Sequence, residues 1–402
     1  MQPWTTAEVE RARAQTPVLA ARVHLNSCGT GAMPGPVLDA VVEHLRREAT
    51  EGGYEAANAR RDLVDRVYAD IATLLGAAPA EIALFDSATS AWHALFGAIS
   101  FKAGDRILTG RNEYASNMMS FLRVRDLYGV EIDIAPDGAE GSMDVDALAA
   151  LLGSRTRLIA VTHVPTNSGT IAPVARIGEI ARRSGILFLL DACQSVGQMP
   201  VDVHAIGCDL LTAAGRKFLR GPRGTGFAYV GPKARAQLRP ALIDIQSGDW
   251  VDRDRYAIRD DALQFERWER SVANALGLGV AVRYAQTWSL NRIASRVQWL
   301  AGLAREDLQR IPRVRVHDRG SRLAGIVSFS VSGHRAEDIV AAALEAGFNI
   351  SRSRILDARL DLENLGVDAV CRVAPHYFNR PDEITAFADF VRAYVKREAR
   401  IE

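Results

Sequence analysis

Short apolar runs alternate with helix-length amphipathic segments through the first two-thirds of the chain. The runs that read as strands are EIALF (Glu81 to Phe85), RILTG (Arg106 to Gly110), EIDIAP (Glu131 to Pro136), RLIAVTH (Arg157 to His163), ILFLLDA (Ile186 to Ala192) and DLLTAA (Asp209 to Ala214). Helices are predicted between them over Ser87 to Ser100, Val145 to Leu152 and Val174 to Ser184. This rhythm predicts βα units and an α/β fold whose mostly parallel sheet is covered on both faces. The unbroken apolar stretch ILFLL fits a strand buried on both sides. From about Asp261 the pattern changes to two long helical stretches, followed by short strands at VRVH, GIVSFSV and AVCRVAPH and helices beginning near Ala336 and Asp382. The expected organisation is an N-terminal arm over 1–20, a large domain over 21–260 and a smaller α+β domain over 261–402.

Composition narrows what such a chain can do. At 402 residues it exceeds what one hydrophobic core serves well, in keeping with two packed units. The 49 basic and 48 acidic side chains leave a formal charge of +1, which removes any bulk electrostatic case for nucleic acid or an anionic membrane. No apolar run reaches the ~18 residues of a membrane span, and the opening MQPWTTAEVERARAQTP is polar, so a cytoplasmic location is expected. The four cysteines form no CxxC pair, which argues for free thiols and against a disulfide framework or a metal site. Only four of the 49 basic side chains are lysines: Lys102, Lys217, Lys233 and Lys396. Chemistry that needs an amine has four candidates.

Open parallel sheets bind ligands beyond the carboxyl ends of their strands, so residues just after strands carry the interest. After EIALF, Ser87, Ala88 and Thr89 open a helix, either as an ordinary cap or as a phosphate cradle. After ILFLL stands Asp191, a carboxylate that burial would neutralise unless a cation faces it; the cation could be an arginine or a protonated heterocycle nitrogen. After DLLTAA comes GRKFLRGPRGTGF, where Lys217 lies among Arg216, Arg220 and Arg223. Neighbouring cations lower an amine's pKa, as a Schiff-base lysine requires, although a basic surface turn reads the same way.

SAT at a helix start, THVPTNSGT, DACQSVGQ and GRK-x-x-x-GPRGTGF, in that order and with Lys217 26 residues after Asp191, resemble the class V aminotransferases. These are pyridoxal 5'-phosphate (PLP) enzymes of fold type I and include cysteine desulfurases, selenocysteine lyase and isopenicillin N epimerase. The resemblance runs from Asn26 to Ile384. It implies a mostly parallel seven-stranded sheet in the large domain. It makes Lys217 the lysine that joins the cofactor and later moves protons at Cα, with Asp191 paired to the ring nitrogen. Gln194, and Thr166 or Asn167, would approach the phenolic oxygen, Tyr114 would stack on the ring, and Ser87, Ala88 and Thr89 would hold the phosphate. Arg372 would grip the substrate carboxylate, with the loops around Asn26 and Tyr54 lining the substrate side. His163 matches a family histidine at a strand end, and a homodimer is implied.

Departures from the desulfurase pattern matter as much. Desulfurases carry Ser-x-His-Lys at the cofactor lysine, whereas this chain reads Ala214, Gly215, Arg216, Lys217, so that Arg216 would replace a lost hydroxyl. FERWERSVANALGLG stands where desulfurases lend a threonine-containing phosphate loop across the dimer. No cysteine lies between Gly347 and Val370, where a desulfurase needs one to take up sulfur. The expectation is a PLP-dependent C–S lyase on an S-substituted cysteine or its sulfoxide, acting by β-elimination. Epimerisation, transamination or decarboxylating deamination are the alternatives within the family, and a non-catalytic phosphate-binding protein is the alternative outside it.

Overall fold

The computed structural model describes residues 4–398; the first residues of the expected arm and the last of the expected small domain lie outside them. After the helix Thr6–Ala14 and the two-residue strand β1 (Val23–His24), the chain builds a seven-stranded sheet. Its strands are β2 (Ile82–Phe85), β3 (Arg106–Gly110), β4 (Glu131–Ala135), β5 (Thr156–Thr162), β6 (Leu187–Asp191), β7 (Leu210–Ala214) and β8 (Gly226–Val230), in spatial order β2-β8-β7-β6-β5-β3-β4. All neighbours run parallel except β8, which is antiparallel to both β2 and β7. The expected α/β class and mostly parallel sheet are therefore observed.

The sheet explains its own sequence pattern. Alternate residues of each central strand enter opposite cores: Ile159, Val161, Phe188, Leu190 and Leu211 pack on one face, and Leu158, Ala160, Leu187, Leu189 and Leu210 on the other. With both faces covered there is no polar side to alternate with, so the strands read as continuous apolar runs. Truncating Leu189 to alanine would cost about 2–5 kcal/mol. β8 was not anticipated as a strand. It follows β7 after residues 215–225 only, too short for the helical crossover that a parallel neighbour needs, so the chain turns back antiparallel. That turn carries Lys217.

Beyond the exposed hairpin β9 (Gly248–Asp252) and β10 (Arg255–Ile258), the helix Val272–Thr287 packs against the helices Gly35–Glu51 and Arg61–Leu75. Its Leu278, Val282 and Ala285 belong to the first core of the large sheet. A second, antiparallel sheet follows, ordered β11 (Val314–Val316), β12 (Val327–Val331), β15 (Ala369–Val373), β14 (Ser351–Arg354), with a separate core around Phe329, Val373 and Phe387. β1 pairs in parallel with the short β13 (Phe348–Asn349), which ties the N-terminal segment to this second unit. Among the described residues no helix is long and apolar enough to cross a membrane, and no His/Cys/Asp/Glu group could hold a metal ion.

Candidate active site

The carboxyl ends of β2, β5, β6 and β7 meet the amino end of β8 at one edge of the sheet, where a pocket of about 220 Å³ opens. Register fixes the arrangement: Thr162 lies beside Asp191 and Asp191 beside Thr212, while Ala214 pairs with Gly226 and Gly226 with Phe85. A side chain at Gly226 would collide with the backbone of Ser87 and Ala88, so glycine there lets β8 run directly under the helix Ala88–Phe96. Ser87 caps that helix, its hydroxyl accepting from Ser90 N at 3.1 Å. The first-turn residues Ala88 and Thr89 line the pocket, where their N–H groups lack intrahelical acceptors. The cap and the anion cradle are the same structure.

At the far end, Asp191 is buried, 5% exposed. Its Oδ1 accepts from Cys193 N at 2.8 Å and its Oδ2 from the Asn117 amide at 3.0 Å. Gln194 also lines the pocket; its Nε2 donates to Cys28 O at 3.0 Å, and its Oε1 is buried without a partner among the described residues. Lys217 faces them from the turn after β7, half-buried, and nothing among the described residues bonds its amine. The lysine turn is braced from two sides. The Gly31 N–H donates to Arg216 O at 2.7 Å, and side chains at Gly31 or Gly197 would strike the backbone of residues 217–219.

The wall is cationic. Arg216, which donates to Gly29 O, and Arg223 line the pocket with Lys217. Burial holds Arg216 below the usual arginine value, and Arg223 and Arg372 add to the depression. An anion bound here would relieve that cost. Tyr114, the N-cap residue of the helix Ala115–Tyr128, lines the pocket with its hydroxyl uninvolved in the cap.

Five of the expected residues stand off the pocket wall. Arg372, on β15, lies behind Thr166, which does line it; Arg372 Nη1 donates to Thr166 O and Oγ1, each at 2.7 Å, and Nε is buried without a partner among the described residues. Asn167 is fully buried and turned away, its amide donating to Asp361 at 2.5 Å. His163 is buried beneath the strand ends, where its backbone N–H donates to Asp191 O at 2.9 Å and burial, aided by Arg322, pushes its imidazole down to about 4. Such a ring stays neutral. Asn26 bridges Ala374 beside a separate cavity, and Tyr54 is 72% exposed on the helix Gly53–Asn58.

Sequence reasoning overlooked Cys193, Asn117, Thr162 and Glu113. The first three line the pocket and Glu113 sits directly behind it. Proximity to NEYASN and to the end of RLIAVTH was the available signal. None of the four thiols is a mobile nucleophile: Cys28, Cys208 and Cys371 are buried, and burial pushes Cys371 up to about 12. Cys193 faces the pocket, but burial and Asp191 raise its thiol well above the ordinary value. The segment where a desulfurase carries its cysteine forms β14 and the helix Arg359–Leu365, packed through Leu362 and Val370 and fastened by Asp361.

A seven-stranded α/β sheet with a lone lysine, a buried aspartate, a helix start and two arginines at one pocket defines a cofactor-dependent enzyme of the PLP class. The sequence model of the aminotransferase class-V family matches residues 23–387, and the chain belongs to that family. It is 27% identical to a probable cysteine desulfurase from Methanothermobacter thermautotrophicus over 381 residues, covering 93% of this chain and 95% of the relative. It is 28% identical to a cysteine desulfurase from Pectobacterium atrosepticum, covering 94% of this chain and 95% of the relative. Among solved structures, an apo cysteine desulfurase from Thermococcus onnurineus superposes with a TM-score of 0.90 at 25% identity, covering 96% of this chain and 98% of that one. The cystine C–S lyase C-DES, in complex with its product cysteine persulfide, superposes with a TM-score of 0.85 at 21% identity over 94% of this chain and 99% of that one, a likeness of fold. The family's cofactor is PLP. The residues present fit it, with an unengaged amine, a fixed carboxylate, a free glutamine oxygen and an anion cradle spaced around one pocket.

Proposed function

We propose that this chain is a PLP-dependent lyase that breaks the Cβ–S bond of an S-substituted cysteine or its sulfoxide. Bound PLP supplies an electron sink for the charge left when the Cα–H bond breaks. Lys217 takes the Cα proton on its amine. Asp191, fixed by Cys193 N–H and the Asn117 amide, would hold the ring nitrogen. Arg372 binds the substrate carboxylate by exchanging its Nη1 bonds to Thr166, which lines the pocket in front of it, for the ligand. The Cβ–S bond then breaks, and sulfur leaves with the bonding pair and a proton as a thiol, or as a sulfenate from the sulfoxide. The unsaturated amine that remains takes up water to give pyruvate and ammonia.

The observation that carries this reading is the placement of the thiols. A sulfur-accepting enzyme needs a mobile low-pKa cysteine, whereas 347–370 holds none and forms packed strand and helix. Elimination with a sulfur leaving group needs no such residue. The similarity to cysteine desulfurases favours a desulfurase as the second reading. Within the family, epimerisation, transamination or decarboxylating deamination would use the same carbanion.

A homodimer and a cytoplasmic location belong to the same proposal. Leu242, Ile245, Trp250, Tyr256 and Trp268 are all more than half exposed. Leu242 also lines a cavity of about 560 Å³ that shares Asp86, Gly224 and Thr225 with the pocket, a face that a second copy would close.

The test is pyruvate release from S-alkyl cysteines and their sulfoxides, with thiol counted alongside. Pyruvate is expected in equal yield with thiol from the S-alkyl cysteines and with sulfenic acid from the sulfoxides, unchanged in Cys28→Ala and Cys193→Ala. Release of sulfane sulfur that vanishes in either variant would establish the desulfurase instead. Solvent exchange at Cα without pyruvate would point to epimerisation.

A further inference from the structure

Glu113 is a buried carboxyl, 5% exposed, for which the mechanism above has no use. It sits in the loop after β3, just before the helix Ala115–Tyr128, and is held by four donors. Its Oε1 accepts from Thr162 Oγ1 at 2.5 Å, the Asn117 amide at 2.7 Å and Tyr114 N at 3.0 Å, and its Oε2 accepts from Thr109 Oγ1 at 3.3 Å. The same Asn117 nitrogen donates to Asp191 Oδ2 at 3.0 Å. One amide, with one hydrogen for each, thus bridges the carboxylate that meets the cofactor ring to a second carboxylate behind it. Thr162, paired in register with Asp191, closes the connection from the neighbouring strand. A cavity of about 20 Å³ lies against Glu113, large enough for one water.

We propose that Glu113 is a positioning residue for PLP: through Asn117 it holds Asp191 toward the ring nitrogen, and its negative charge strengthens the grip on that nitrogen in the protonated form. The proposal rests on the family's cofactor and not on the leaving group.

The charged and titratable groups around Glu113 are few. Asp191 faces it from β6, Tyr114 adjoins it, and Lys217 and Arg216 stand across the pocket. Arg111, two residues earlier, pairs with Asp137. Burial pushes the Glu113 carboxyl up to about 7, with Asp191 adding to the rise, against the downward pull of Thr162, Asn117 and the Tyr114 N–H. A positive ring nitrogen at Asp191 offsets the repulsion between the two carboxylates, so cofactor binding and ionisation of Glu113 favour each other. The sign follows. Glu113 is ionised above pH ~7 and tightens PLP there, and the benefit disappears as pH falls through 7 and the carboxyl takes up a proton.

The experiment is PLP affinity of the apoprotein from pH 6 to 9, read by equilibrium dialysis and by the visible band of the bound cofactor, in wild type and Glu113→Gln. Glutamine keeps the shape and mimics the protonated carboxyl. About tenfold weaker binding is expected in the variant at pH 8.5, narrowing to about twofold at pH 6, the size of a one-unit coupling. Equal affinities and superposable bands at all pH values, or a loss that does not vary with pH, would overturn the proposal. A merely structural Glu113 would change melting temperature without moving either curve. Should Glu113→Gln fail to fold, Thr109→Val leaves the carboxylate in place and removes one donor; the inflection in wild-type affinity should then move to higher pH, and an unmoved inflection would overturn the idea. A wild type that takes up no PLP at any pH would overturn the cofactor reading along with this one, whereas a yellow wild type with an indifferent Glu113→Gln sinks only the role of Glu113.

Discussion

The two sides of the pocket are built differently. The side proposed for the cofactor is made by the sheet itself: Asp191, Thr162, Ala214 and the start of the helix Ala88–Phe96 are strand ends and their immediate successors, fixed by ladder register. The substrate side is assembled across long sequence distances. Arg372 reaches Thr166 206 residues away, and Asn167 reaches Asp361 194 residues away. A side chain placed by register has little freedom left to lose on binding. One whose head group is held only by long-range bonds to a loop, as Arg372 is held by two to Thr166, can exchange them for a ligand, and specificity changes most easily there.

The largest effect should fall on the cofactor side. Lys217→Ala removes the one amine in the pocket, and turnover should drop by at least ~10³-fold, the scale of a lost general base. Borohydride treatment of the yellow wild type should fix the label on Lys217, with no label retained in the variant. Retention of normal turnover by Lys217→Ala would collapse the contrast between the two sides, because the register-built wall would then hold no chemistry.

On the substrate side the expected losses are smaller and of another kind. Arg372→Lys keeps a positive charge but loses the planar fork, so one charge-assisted bond of about 1.5–3 kcal/mol goes unmade. KM for the amino-acid substrate should rise by roughly 10–100-fold with kcat changed far less, as for binding lost equally from ground and transition states. A fall in kcat at constant KM would mean that Arg372 acts on the reacting atoms, which would erase the distinction drawn between the two sides.

Legibility in the sequence divides along the same line. The central strands β5, β6 and β7 could be read because burial on both faces leaves unbroken apolar runs, whereas the edge strand β4 was legible through its alternation, and residues following the central runs sit at the pocket by construction. Lys217, Asp191 and the Ser87–Thr89 cradle were legible for that reason, and Gln194 and Tyr114 through the family resemblance. β8 was not, because nothing local in GTGFAYV distinguishes a returning strand from the end of a loop. β14 and the helix Arg359–Leu365 were missed because SRSR is polar and its strand character comes from pairing with β15. Glu113 and Asn117 escaped notice because a buried carboxyl and its amide partner look in sequence like any polar loop and helix start. Their burial exists only once β3, β5 and β6 converge.

Asn167 puts the comparison to its finest test, since the resemblance assigns it to the cofactor while the structure turns its amide to Asp361. Asp361 is 1% exposed and also accepts from Arg319 at 2.6 Å and from the Asn112 amide at 3.0 Å, so Asn167→Ala removes one of three side-chain donors from a buried carboxylate. The expected cost is about 1–3 kcal/mol, visible as a melting temperature lower by several degrees. Because the lost bond fastens the segment 359–365 and touches no pocket atom, the visible band should not move and kcat/KM should stay within about twofold. A shifted band with unchanged stability would show the reverse, that Asn167 leaves Asp361 for the ring when PLP binds. The substrate side would then reach into the cofactor side through the one loop, Thr166–Asn167, that touches both.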